Sequence, residues 1–225
     1  MTSREDEIIQ AAVELFASRG YEKTSMADIA ASLGITKGSL YYYVPSKRNL
    51  LAKTLLGFHI VLSSGPSKII KSQESSPEKL RKTIRHHVEF FFKYYPTTCV
   101  FLDERLTALS SRQRGKVIQE RDRYENIWRK IITEGIEQGY FRNDLDVAMM
   151  VRGILGMCNW MIKWYKPDGK WSPHRVADIF SEIILHGIQT SPFQNGQVCQ
   201  NRKTKKNSLR YQTVRPITLD SGKDK

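Results

Sequence analysis

The stretch from Thr24 to Leu51 constrains the fold most, because it places two helix starts, a glycine corner and a proline stop within a few turns of chain. Met26, Ile29, Ala30 and Leu33 recur at i, i+3, i+4 and i+7, the apolar stripe of a short helix that Ser25 can cap and Gly34 can stop. Gly34, Ile35 and Thr36 make a tight corner. Thr36 can cap a second helix in which Leu40 and Val44 face inward, while Lys37, Gly38, Ser39, Tyr41 and Tyr42 stay near the outside until Pro45 ends it. Ser46 opens a third, longer helix.

Two short amphipathic helices around a glycine turn also describe an ordinary helical hairpin. Two details favour a DNA reader. Gly38 in the first turn of a helix costs about 1 kcal/mol relative to Ala, which makes sense where a phosphate or base edge must come close. Tyr41, Tyr42 and Tyr43 point about 100° apart on a helix, so at least one phenol must face outward. With Lys37 and Lys47 they form an aromatic, cationic outer face. By its position, the second helix is the recognition helix of a helix-turn-helix.

Residues 1 to about 58 resemble the DNA-binding domain of TetR-type regulators. The likeness rests on Phe16-Ala-Ser-Arg-Gly20-Tyr21, Thr24-Ser25-Met26-x-Asp28-Ile29-Ala30, Gly34-Ile35-x-Lys37-Gly38-Ser39-Leu40-Tyr41-Tyr42-Tyr43 and Ser46-Lys47. It implies that Thr24 or Ser25, together with Tyr41, Tyr42, Tyr43 and Lys47, holds phosphates. Lys37, Gly38 and Ser39 then reach base edges, with Thr36 at the cap of the same DNA-facing helix. The physics agrees: hydroxyls and N–H groups at helix starts suit phosphate, and Lys and Ser at the start of a recognition helix can reach the major groove.

The net charge of +13 is unevenly spread. Residues 1–56 hold 7 Lys and Arg against 6 Asp and Glu, residues 57–190 hold 21 against 15, and residues 191–225 hold 8 against 2. The expected organisation is a reader domain at 1–56, a larger helical ligand-binding and dimerisation domain at 57–190, and a basic, disordered tail at 191–225 with Arg202-Lys203-x-Lys205-Lys206. No apolar run approaches the 18 or so residues of a membrane span, and the first residues lack signal-peptide character, so a soluble, cytoplasmic protein without a membrane partner is expected. Cys99, Cys158 and Cys199 are scattered, which suggests neither a disulfide framework nor a zinc site. G-x-S-x-G, H-E-x-x-H, Walker and C-x-x-C motifs are all missing, so no enzyme, metal or cofactor is expected. His86 and His87, adjacent on a helix, read as one exposed and one buried histidine.

Helical periodicity recurs along the chain and strand alternation does not, predicting an all-α fold of about nine helices. A first helix carries Ile9, Ala12, Val13 and Phe16 and stops at Gly20. A strut helix runs from Ser46 to about Ser64, stopped by Gly65-Pro66. Pro77 opens a helix that Pro96 ends, Val100 to Ser110 is shorter, and Gln113 to Gln138 is long with Gly139 as its stop. The segment from Val147 to Tyr165 is apolar around most of its circumference, interrupted by Arg152, Asn159, Lys163 and Lys166 on one stripe, and Val176 to Ile188 carries a clean apolar stripe. These last two helices, about 147–165 and 174–190, are expected to form a homodimer face, with Gly153 and Gly156 admitting a partner backbone. The other reading makes the first of them the central core helix of a monomer. A dimer suits a helix-turn-helix, since two recognition helices about one DNA turn apart, ~34 to 36 Å, read the halves of a palindromic operator.

For a small-molecule effector, Phe91, Tyr95, Phe101, Tyr124, Trp128, Met157, Trp160 and Trp164 supply aromatic and thioether surface, although the same spacing also describes plain core. Residues 115–190, with Glu120-Arg121-Asp122-Arg123, Glu134-Gly135-Ile136-Glu137-Gln138-Gly139-Tyr140-Phe141-Arg142 and Lys163-Trp164-Tyr165-Lys166-Pro167, resemble the ligand domain of TetR-type repressors that answer to acyl-coenzyme A thioesters. The resemblance implies an acyl-CoA effector, whose anionic end would need cations such as Arg105, Arg152 and Lys163. The alternative is a repressor of drug-efflux genes answering a hydrophobic xenobiotic. A cationic drug would favour buried carboxylates near the aromatics, and the 147–165 helix has none after Asp146.

Overall fold

The computed structural model describes residues 3–102, 106–166 and 168–190. The predicted basic tail, with Cys199, and the candidate Arg105 lie outside the described residues. Among the described residues the fold is all-α, with nine α-helices: α1 Arg4–Arg19, α2 Met26–Ser32, α3 Lys37–Tyr43, α4 Lys47–Ile69, α5 Ser76–Lys93, α6 Tyr95–Leu102, α7 Ser111–Glu137, α8 Val147–Trp164 and α9 Pro173–Ile188. A 3-10 turn, Leu106–Ala108, precedes α7.

The starts of these helices are written in side-chain oxygens. Ser3, Ser25 and Ser110 form capping boxes with Asp6, Asp28 and Gln113, and Thr36, Ser46, Asp146 and Ser172 each accept from a backbone N–H of the first turn. Such a cap is typically worth about 1 kcal/mol. Gly34 turns the corner between α2 and α3 at φ +65°, a conformation that disfavours any side chain.

One continuous core runs from Ile8, Phe16, Ile29, Leu40 and Leu50 through Leu55, Phe58 and Leu62 to Ile84, Trp128 and Ile131. The strut α4 threads it, packing on α1 near its start and on α5 and α7 farther on, while α6 lies against α1. At the other end, Phe141 and Gln189 form an antiparallel bridge; Arg142 N–H donates to the Ile188 carbonyl at 2.8 Å and Thr190 N–H to the Tyr140 carbonyl at 3.0 Å. The end of α9 is thereby fastened to the turn between α7 and α8.

Three expected helix boundaries are corrected. The strut does not stop at Gly65-Pro66 but continues to Ile69 with Pro66 inside it. Proline there leaves the Leu62 carbonyl without its i+4 donor, and the Nε2–H of His86, on α5, donates to that carbonyl at 3.0 Å instead. The ring can approach because residue 65 lacks a Cβ. This contact also corrects the expected exposed histidine: His86 is half-buried and His87 fully so. The helix expected to end at Pro96 ends at Lys93, and Pro96 falls in the first turn of α6, where a missing N–H breaks no bond. The helix expected over Val100–Ser110 is therefore α6, which begins earlier and closes at Leu102.

Candidate functional site

The outer face of α3 matches its sequence. Leu40 and Val44 are fully buried, whereas Lys37, Gly38, Ser39, Tyr41, Tyr42 and Tyr43 are exposed, Tyr42 to 86%. Lys37 Nζ lies 5.8 Å from the Tyr41 ring centre, and the Tyr42 and Tyr43 rings meet edge to face. A Cβ at position 38 would touch Thr36 Oγ1 at an ordinary 3.7 Å, so no contact among the described residues demands glycine there. Thr36 Oγ1 accepts from the Ser39 N–H at 3.1 Å and lies 2.9 Å from Ser39 Oγ. Ser25 is exposed but its hydroxyl serves Asp28, donating to the carboxylate while accepting from the Asp28 N–H; these hydrogen bonds hold the Asp28 carboxyl below its usual range.

Two of the expected phosphate holders are placed otherwise. Thr24 is buried and its hydroxyl donates to the Gly20 carbonyl at 2.9 Å, closing the end of α1, so its side chain cannot reach a phosphate. Lys47 Nζ donates to the Tyr21 carbonyl at 2.9 Å and sits 4.3 Å over the Tyr21 ring. Its ammonium ties the start of α4 to the loop after α1.

The residues expected to bind an effector divide into an interior and an exterior set. Phe91, Phe101, Tyr124 and Trp128 are buried core. Phe101 stacks on Phe58 at 4.4 Å, His87 lies 4.0 Å from Phe91, and Tyr124 meets Trp128 edge to face, so these rings fill one another's space instead of walling a pocket. This corrects their assignment as pocket lining: helical spacing alone does not distinguish core from cavity. Tyr95, Arg152, Trp160, Lys163 and Trp164 are exposed, with Trp160 at 64%. Trp164 leans edge-on against Tyr165 and Phe180.

Two of the candidates do meet in a concavity. Trp160 and Lys163 line a cleft of about 440 Å³ between α6 and α8, together with Cys99, Leu102, Gly156, Asn159 and Ile162. The far side of α6 faces the reader: Cys99 and Val100 border a small cavity of about 140 Å³ with Phe16, Gly20, Tyr21 and Leu51. Met157 lies instead in an apolar groove between α8 and α9, about 300 Å³, with Met149, Gly153, Ile183 and Gly187. Met149 and Ile183 are 62% and 58% exposed. A larger open groove, about 1160 Å³, runs beside α7, lined by residues such as Lys71, Asp122, Arg123, Ile127 and Glu137, and includes none of the candidates.

The sequence pointed to a buried histidine and to Asn159, but not to their connection or to buried His59. Oδ1 of Asn159 lies 3.0 Å from His87 Nε2, and His87 Nδ1 lies 2.8 Å from the Tyr124 hydroxyl. Burial pushes the His87 pKa down to about 3 and raises that of Tyr124, so both stay neutral. His59 on α4 is also buried, with both ring nitrogens lacking a hydrogen-bond partner among the described residues, and desolvation followed by the nearby Arg121 charge lowers its pKa to about 4. A histidine on an apolar helix face was the available signal; its partners lie up to 72 positions away in sequence.

A capped helix-turn-helix with a polar, tyrosine-rich reading face, carried on a larger helical body, defines a DNA-binding transcriptional regulator. The chain belongs to the TetR family: residues 8–54 match the model of bacterial regulatory proteins of the tetR family, and residues 73–188 match the tetracyclin repressor-like C-terminal domain. It is 31% identical over 189 residues to the HTH-type transcriptional repressor KstR2 of Mycobacterium tuberculosis, covering 84% of this chain and 94% of that one. The solved structure of that ketosteroid transcriptional regulator superposes with a TM-score of 0.78 over 85% of this chain and 97% of its own. The fatty acid metabolism regulator protein of Bacillus subtilis is 29% identical over 81% of this chain and 94% of its own. AibR, solved in complex with isovaleryl coenzyme A and operator DNA, is 25% identical with a TM-score of 0.73, covering 80% of this chain and 97% of its own.

Proposed function

We propose that this regulator is a cytoplasmic homodimeric repressor, released from a palindromic operator when an acyl-CoA-type thioester occupies the cleft between α6 and α8. The observation that carries the reading is the composition of that cleft. Trp160, Leu102 and Ile162 offer apolar surface to an acyl chain, Lys163 offers a cation to an anionic group, and none of the described lining residues is a carboxylate. The names of the ketosteroid and fatty acid regulators, and the coenzyme A thioester bound by AibR, support the same chemical class.

The dimer face of this proposal is the apolar surface of α8 and α9, where Met149 and Ile183 stand exposed and no described side chain crowds Gly153 or Gly187. Tyr41, Tyr42 and Tyr43 hold phosphates, and Lys37 and Ser39, with Gly38 between them, approach base edges. Release follows from the position of α6, which borders the cleft on one side and the reader on the other. A ligand that pushes α6 toward α1 alters the separation of the two recognition helices, and it shifts the equilibrium only by its differential affinity for the two arrangements.

The test is a mobility shift of DNA from upstream of the regulator's own gene, with and without a panel of acyl-CoAs. Retention of the fragment, and its release by at least one thioester, are expected. DNA must weaken thioester binding by the same factor that the thioester weakens DNA binding. Failure to retain any promoter fragment overturns the DNA reading, and indifference to every thioester overturns the effector.

A further inference from the structure

The polar connection between the cleft and the core fixes what kind of atom the cleft can recognise. Asn159 lines the cleft on α8, and its Oδ1 faces inward to His87 Nε2 at 3.0 Å. An amide oxygen only accepts, so the single proton of the neutral imidazole must sit on Nε2. Nδ1 then carries a lone pair, and the Tyr124 hydroxyl, 2.8 Å away, must be the donor. The donation runs outward through three helices, from Tyr124 on α7 to His87 on α5 to Asn159 on α8. Both inner members are buried, out of reach of water that could reverse the order.

His87 turns the Asn159 oxygen inward, and the amide nitrogen is left without a partner: no described residue accepts from it. We propose that Asn159 is a specificity residue of the cleft: it presents N–H donors to a neutral acceptor oxygen of the effector and disfavours ligands that place an apolar group there. Lys163, one turn farther along α8 and lining the same cleft, suits an anionic portion of the same molecule. A carbonyl joined to an anionic extension satisfies both, and the thioester of an acyl-CoA is such a group. This inference rests on the reading of the α6–α8 cleft as the effector site.

The experiment uses the full chain and two probes, octanoyl-CoA and its thioether S-octyl-CoA, which lacks the carbonyl oxygen. Calorimetric titration is expected to show the thioester binding about tenfold more tightly than the thioether, the worth of one hydrogen bond. Asn159→Leu brings the two affinities to within about twofold by weakening the thioester. Asn159→Asp keeps an oxygen for His87 but replaces the donor, so it also loses the preference, and it serves should the leucine variant fail to fold. Nitrogen-15 spectra of labelled histidine are expected to show His87 protonated at Nε2 and bare at Nδ1. Equal binding of the two probes by the wild type, a preference that survives both substitutions, or a proton on Nδ1 overturns this proposal alone. Binding of neither probe overturns the acyl-CoA reading and this proposal with it.

Discussion

His86 lies so close over Gly65 that a Cβ added at position 65 would stand 2.4 Å from its ring. The glycine admits the imidazole, and the imidazole takes up the Leu62 carbonyl that Pro66 leaves vacant. Two residues that usually end a helix here allow α4 to run on, supported by a donor from α5. Gly65→Ala is therefore expected to cost about 1 to 3 kcal/mol, because α5 must retreat or the ring must swing away. Gly57→Ala, on the same helix with nothing within 4 Å, is expected to stabilise by up to about 1 kcal/mol. Denaturant melts of the two variants check the contrast.

The inward hydroxyl of Thr24 separates stability from DNA contact. Thr24→Val is expected to lower stability by about 1 kcal/mol, the worth of a buried hydrogen bond, while leaving the salt dependence of operator binding unchanged. Lys37→Ala acts in the opposite sense: no change in melting and a loss of about 1 to 3 kcal/mol of base discrimination. Fluorescence anisotropy across a salt series distinguishes them.

Gly38 is unneeded by the fold. Gly38→Ala is expected to stabilise α3 by up to about 1 kcal/mol yet weaken operator binding, since the methyl group would occupy the approach to DNA. A variant that melts higher and binds as well as the wild type would remove Gly38 from the reading face.

His59 and His87 both keep folded pKa values far below the 6.5 of an exposed histidine, at about 4 and about 3. Between those values and 6.5 the unfolded chain binds more protons than the folded one, so stability is complete above about pH 7 and falls as the pH drops through 6.5 toward 4. At pH 5 each group costs about 2 kcal/mol relative to neutral pH. His59→Leu, which surrenders no hydrogen bond among the described residues, is expected to remove one proton of that slope. Melts at pH 5 and pH 7.5 measure it.

The exposed Met149 and Ile183 give the assembly its own test. Ile183→Asp is expected to leave the fold intact, since the side chain stands largely in solvent, and to convert a dimer into monomers that bind operator weakly. Sedimentation velocity reads the mass directly.

The reader was legible because its signals are local. Ser25, Gly34, Thr36 and Ser46 act within four residues of themselves, and Leu40 with Val44 declares the buried side of α3. The end of α4 was not legible, because the donor that carries it past Pro66 arrives from 24 residues away. The candidate effector cleft was half legible for a similar reason. Trp160 and Lys163 interrupt or overfill an apolar helix and do meet in the cleft, whereas Phe91, Tyr124 and Trp128 have the same spacing and are core. Whether an aromatic ring borders a void or another ring depends on the helix opposite, which periodicity does not encode.

The clasp of Lys47 on the Tyr21 carbonyl and ring joins the root of α4 to the loop that precedes α2. Glu5 at the start of α1 pairs with Lys53, one and a half turns along the same strut. These contacts hold both ends of the first helix to one shaft, so that a swing of α4 would carry the three helices before it along. An operator would then discriminate bound from released protein by the stride between two unchanging heads, not by any alteration in their grip.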